Sequence, residues 1–211
     1  PDGQAMRLKV RSLVGLLPLC ASTVFEGDVA TRYPRLMEMI ALFRKRHPEL
    51  IAHVAPTDAG FIGYKDRRLL SILNKQKLER VLGYMLDENE FLGPHGIRSL
   101  SRYHLEHPFV FHVGGQEYKV QYLPGESNTG MFCGNSNWRG PLWMPVNPLI
   151  IGALLNLYSF YGDDFKLQCP TGSGHYMTLF EVAQEISRRL TGTFLREPPT
   201  TSSGQNGRRP V

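Results

Sequence analysis

Cysteine is scarce in this chain. Cys20, Cys133 and Cys169 are an odd number at wide spacing, with no Cys-x-x-Cys pair and no histidines paired at metal-ligand distance. That pattern excludes a disulfide framework and a structural zinc site. Thiols used this sparingly favour a reducing, cytoplasmic compartment, and neither a metal nor any other cofactor is expected. Long hydrophobic runs are also missing, so no membrane span and no membrane partner is expected. Lys and Arg number 24 against 19 Asp and Glu, a formal charge of +5. The cations nevertheless form no basic stripe interleaved with aromatics, so they read as solvated faces and nucleic acid is not an expected partner. Tryptophan is rarest of all: the chain has two, and both fall within residues 134–145.

What is present is enough apolar sequence, 42% of 211 residues, for one substantial core and hence one domain. Met6, Arg7, Lys9 and Arg11, followed by the apolar run from Leu13 to Cys20, imitate a secretory signal. Five residues precede that methionine and the first residue is Pro1, so the run reads instead as an inner helix, and the chain is expected to be a piece of a longer protein.

Taken in order, residues 12–25 read as a helix started late or kinked by Pro18. Pro34 and Pro48 bracket an amphipathic packing helix with Leu36, Met37, Ile40 and Phe43 on one face and Arg44, Lys45 and Arg46 in its last turn. Residues 49–66 form a connecting loop. Leu78, Val81, Leu82 and Met85 repeat at helical spacing, and the helix ends in Asp87, Glu88, Asn89 and Glu90, a cluster read as solvated surface. Phe109 to Val113 and Glu117 to Tyr122 alternate as strands around Gly114-Gly115, which predicts a hairpin. Residues 146–161 are apolar nearly all round and predict a buried helix. Thr178 and Glu181 form a capping box ahead of Leu179, Val182, Ala183, Ile186, Leu190 and Phe194. Residues 197–211 read as a flexible tail.

Three loops carry ligand-like chemistry. In residues 134–145, Trp138, Arg139 and Trp143 stand among Gly134, Gly140, Pro141 and Pro145. An ordered loop of this kind offers flat apolar faces and a planar donor fork, suited to the C–H face and hydroxyl rim of a sugar. The same indoles equally fit as a plug in the core. In residues 91–101, His95 and Arg98 are flanked by Gly93, Pro94 and Gly96, and Arg98 equally suits a helix end. Residues 162–174 hold Asp163, Asp164 and Gln168 but no lysine-led phosphate loop.

Four segments together carry a family resemblance: residues 8–19, residues 96–104, the string Gly134-Asn-Ser-Asn-Trp-Arg-Gly-Pro-Leu-Trp143, and residues 161–174, which end in a Pro-Thr-Gly-Ser-Gly loop. In this order they resemble the C-terminal part of glycoside hydrolase family 63-like proteins, related to mannosyl-oligosaccharide glucosidases, over nearly the whole chain up to the tail. The resemblance implies an all-α (α/α)6 toroid, an inverting mechanism and an α-linked glucose or mannose substrate, either an oligosaccharide or a small glycoside. With only about five or six predicted helices, residues 1–196 are expected to be the C-terminal half of that barrel, with one inserted hairpin. The missing N-terminal helices of the parent chain are then its partner.

An inverting glycosidase needs a general acid and, roughly 6.5–9.5 Å away, a carboxylate that activates water. The resemblance implies that the acid lies upstream of this region and puts the base immediately before Cys169, where this chain has Gln168. An amide cannot take the water's proton at neutral pH. Cys133 departs from the pattern too, standing where the resemblance implies a glycine. Glu126 and Asp164 are the remaining acid/base candidates, while Trp138, Trp143, Arg98 and Arg139 are expected to line the sugar site. Each has a structural alternative: Asp163 and Asp164 stop a helix, and Glu126 pairs with Arg139. The competing reading is a catalytically impaired, glycosidase-like scaffold that binds sugar or protein.

Overall fold

The computed structural model describes residues 7–51, 62–123 and 141–195. The chain enters as a 3-10 helix, Leu13–Cys20, and then forms strand β1 (Ser22–Phe25) and helices α1 (Val29–Arg32), α2 (Pro34–Arg46) and α3 (Pro48–Ile51). Strand β2 (Arg68–Ser71) and helix α4 (Lys75–Met85) follow. The two-residue strands β3 (Leu92–Gly93) and β4 (Gly96–Ile97) precede the hairpin β5 (Phe109–Val113) and β6 (Gln116–Val120). Helix α5 (Val146–Tyr161), strands β7 (Lys166–Gln168) and β8 (Tyr176–Thr178), and helix α6 (Leu179–Gly192) complete the described chain.

The all-α toroid is therefore not what forms. The strands pair into four separate two-stranded antiparallel sheets, so the architecture is mixed, with helices around small ribbons. The first expected helix breaks for a physical reason. Pro18 lies inside a 3-10 helix and withholds a backbone donor. Beyond it Thr23, Val24 and Phe25, residues that favour a pleated surface, pair with Leu70, Leu69 and Arg68.

Helices with strong local signals lie where the pattern puts them. Asn74 caps α4 by accepting from the Lys77 N–H at 2.9 Å, and Leu78, Leu82 and Met85 turn into the core. In α6 the Thr178 and Glu181 capping box is complete, satisfying donors that the helix cannot. Its buried face is Leu179, Val182, Ala183, Ile186 and Leu190; the helix stops before Phe194, which is exposed. Gly162, at φ 64°, ends α5 in a left-handed conformation that glycine adopts without a Cβ clash. The hairpin turns on Gly114 and Gly115, both at positive φ.

One core joins these elements. Leu13, Leu16 and Leu19 pack with Leu78 and Leu82 of α4, Ile150, Leu154 and Leu157 of α5, and Val182 and Ile186 of α6. Each leucine so enclosed contributes about 2 kcal/mol. Two expectations of burial differ from the structure. Leu149 and Leu155 of α5 are exposed, so that helix has one open face. Helix α2 has no buried residue at all. No helix among the described residues is long and apolar enough to cross a membrane. The expected tail lies outside the described residues.

Candidate functional site

Two of the ligand-like loops meet. The β3–β4 turn, with Gly96 at φ 123°, leads into residues 98–101, which run between two other stretches of chain. On one side the Leu13 N–H donates to Ser99 O at 2.9 Å and the Ser101 N–H to Arg11 O at 3.0 Å. On the other the Ser99 N–H donates to Pro141 O at 2.9 Å, and Arg98 pairs with Leu142 in an isolated antiparallel bridge. Residues 91–101 and 141–145, far apart in sequence, thus form one junction, largely buried on the 91–101 side, where Pro94 is exposed.

Asn147 locks this junction from below. It is wholly buried. Its Oδ1 accepts from the Ile97 N–H at 2.8 Å, and its Nδ2 donates to Ile97 O at 3.1 Å and Trp143 O at 3.2 Å. One side chain therefore fixes both loops. Gly96 is required here, because a Cβ on it would stand 2.7 Å from Leu190 Cδ2 and 3.1 Å from Asn147 Oδ1. Trp143 is half-buried at the edge of the core.

Arg98 lies at the junction, but its guanidinium turns inward. Nη1 donates to Leu92 O at 2.8 Å, Glu88 O at 2.9 Å and Glu90 O at 3.3 Å, and Nε donates to Tyr122 Oη at 3.2 Å. With 8% of its surface exposed, it holds the 88–92 turn by its carbonyls. In this position it shapes the loop by holding carbonyls, whereas the sequence pointed to a place either in the sugar site or at a helix end.

Beside it is a network that sequence reasoning missed. Glu90, read as part of a solvated cluster, is 8% exposed and bonds Arg11 Nη1 and Ser101 Oγ. The Arg11 guanidinium lies 3.8 Å from the centre of the Tyr103 ring. The Arg11 backbone N–H donates to His104 Nε2 at 2.9 Å, which leaves the ring proton on Nδ1, facing His107 O at 2.9 Å. The available signal was that Glu90 directly precedes Phe91 and Leu92, both core residues. A buried, paired carboxylate of this kind sets the geometry of the groups around it.

The third loop is braced independently. Gln168 and Tyr176 are cross-strand partners. Gln168 Oε1 accepts from the Gly172 and Gly174 N–H groups at 2.9 and 3.4 Å, while Nε2 donates to Tyr176 Oη at 3.1 Å. Thr171 pins the loop to the end of α4, its N–H reaching Leu86 O at 2.9 Å and its hydroxyl Gly83 O at 2.8 Å. Residues 171–176 project as an exposed, internally bonded turn. Cys169 is enclosed below it, and burial pushes its thiol up to about 11. Asp164 is exposed in the turn after α5, and its neighbour Asp163 accepts from Tyr158 Oη at 2.9 Å. Glu126, Trp138 and Arg139, like Cys133, lie outside the described residues.

No group of His, Cys, Asp and Glu among the described residues is arranged to hold a metal. A hollow of about 250 Å3 under the hairpin is lined by apolar side chains, among them Leu8, Val10, Phe109 and Phe111, and it offers a sugar no hydrogen-bonding wall. An ion-paired cluster stands elsewhere, on α6, where Glu185 meets Arg188 and Arg189. There, hydrogen bonding by Arg188, and secondarily by Arg189, holds the Glu185 carboxylate down at about 2. Arg189 also donates to Gly93 O at 2.9 Å, tying α6 to the β3–β4 turn. Because the folded value lies below the ordinary 4.5, this contribution to stability is complete above about pH 4.5 and is lost as pH falls toward 2. Glu185→Gln is accordingly expected to flatten the fall in urea midpoint across that window while leaving its slope near neutrality unchanged.

Comparison with known proteins adds one relative. Over 207 residues the chain is 44% identical to Uncharacterized protein YMR196W of Saccharomyces cerevisiae, a match covering 98% of this chain and 18% of that protein. The chain therefore spans less than a fifth of the length of the curated relative it matches. No family model and no solved structure matches it.

Proposed function

We propose that this chain contributes one wall of the sugar site of an inverting α-glycosidase acting on α-glucosides or related α-linked sugars, within a longer protein. The observation that carries this reading is the junction of residues 91–101 with residues 141–145, joined through Ser99, Arg98 and Asn147. It gathers two loops that the family resemblance assigns to substrate, with Trp143 half-buried among them at the edge of the core. Aromatic faces held this way suit the C–H face of a pyranose. Asp164, exposed and close in sequence to the Gln168 loop, is the described carboxylate that remains as an acid/base candidate.

A second reading, the catalytically impaired scaffold, is favoured by Gln168. Its amide is occupied in bracing the loop through Gly172, Gly174 and Tyr176, and an amide is no base. Hydrolysis by the full-length protein that carries this segment separates the two. The enzyme reading expects cleavage of α-glucosides or α-mannosides with the β-anomer formed first, seen by proton NMR. Absence of hydrolysis by the natural chain, with hydrolysis appearing in Gln168→Glu, establishes the impaired scaffold instead. No hydrolysis by either form and no sugar binding overturns both.

A further inference from the structure

Helix α2 is amphipathic, yet none of its residues is fully buried. Leu36, Met39 and Phe43 are 38%, 68% and 49% exposed. At 100° per residue these three fall within one narrow stripe of the helix. Met37, Ile40 and Arg44, half-buried, lie along one border of it, and Arg35 and Arg46, both exposed, lie along the other. The two arginines are roughly three turns apart, about 16 Å along the axis. An apolar stripe edged by two cations is half of a recognition surface.

We propose that the Leu36, Met39 and Phe43 stripe is the docking surface for an amphipathic helix with carboxylates along one border, supplied by polypeptide beyond these 211 residues. Three observations favour that occupant. The relative, 44% identical across this stretch, devotes only 18% of its length to it, so a matching segment there is surrounded by much further chain. Arg35 and Arg46 select carboxylates at matching spacing. They also disfavour a second copy, because two α2 helices packed antiparallel about a two-fold axis bring Arg35 of one against Arg46 of the other. An anionic bilayer fits less well. Helices that lie in a membrane interface carry Lys and Arg along the whole polar face, whereas α2 has Glu38 there and gathers three of its four cations in its last turn.

Hydroxyl-radical labelling of Met39 and Phe43 tests this. Both are expected to label strongly in the chain alone. Adding a synthetic helical peptide with a leucine stripe bordered by glutamates is expected to reduce that labelling about fivefold as water is excluded, and the same peptide bordered by lysines is expected to leave it unchanged. The double variant Arg35→Glu and Arg46→Glu, at two exposed positions, is expected to reverse the preference. In the intact yeast relative, the positions aligned with 36, 39 and 43 are expected to be protected. Full labelling of those positions there, or equal effects of the two peptides, overturns the proposal. So does protection of the chain alone that rises with its own concentration, which assigns the face to a second copy. Protection by phosphatidylserine vesicles likewise overturns it, in favour of a membrane.

Discussion

Arg98→Ala is expected to lower the stability of the chain by about 3 kcal/mol, one of the two largest losses among the substitutions considered. The guanidinium serves the carbonyls of Glu88, Glu90 and Leu92 and the Tyr122 hydroxyl, and alanine removes that donor from all four in a site that admits little water, while Glu90 O keeps the Arg102 N–H at 2.9 Å. Buried acceptors lose their full desolvation penalty when their partner is removed. Arg98→Lys is expected to recover only a fraction, since one ammonium cannot reproduce the fork that reaches both the turn and Tyr122. Urea denaturation followed by circular dichroism measures both variants. A loss below about 1 kcal/mol for Arg98→Ala contradicts the structural role and returns the guanidinium to solvent and to ligand.

Asn147→Ala is expected to cost between about 2 and 3 kcal/mol. The Ile97 N–H, the Ile97 carbonyl and the Trp143 carbonyl share this amide. Asn147→Asp is a sharper test than alanine, because a carboxylate still accepts from the Ile97 N–H but can donate to neither carbonyl, and it brings a charge into a wholly buried site. It is expected to destabilise at least as much as alanine at neutral pH and less as pH falls, when protonation removes the charge and restores one donor. Since both tryptophans of the chain fall within residues 134–145, their emission reports on the loosening of this loop directly.

Legibility followed the range of the interactions. Helix α5 occupies Val146–Tyr161, the bounds read from sequence, and the α6 cap was visible because Thr178 and Glu181 are three residues apart. The hairpin was legible for the same reason, its turn glycines being adjacent to each other and to the strands they join. The small sheets were not. Thr23 pairs with Leu70, and a four-residue strand carries too little periodicity to announce a partner in a distant segment. Glu90 was misread because its partner Arg11 is 79 residues away; locally it is one acid among several. The case of Arg98 is subtler. Its glycine-rich setting marked it as special, and it is, but which way a guanidinium points is decided by the carbonyls that tertiary structure brings to it. Gln168 divides the same way. The sequence exposes the amide where the resemblance implies an acid, and only the folded loop reveals that Gly172 and Gly174 use its oxygen.

The proposal at the centre of this account is that the junction of residues 91–101 with residues 141–145 holds an α-linked sugar through Trp143. Titration of this chain with maltotriose, followed by tryptophan emission, tests it most directly. A saturable change in the millimolar range is expected, weakened at least about tenfold, or 1.4 kcal/mol, by Trp143→Ala in a variant whose circular dichroism is unchanged. No saturable change, or equal affinity in the variant, contradicts it.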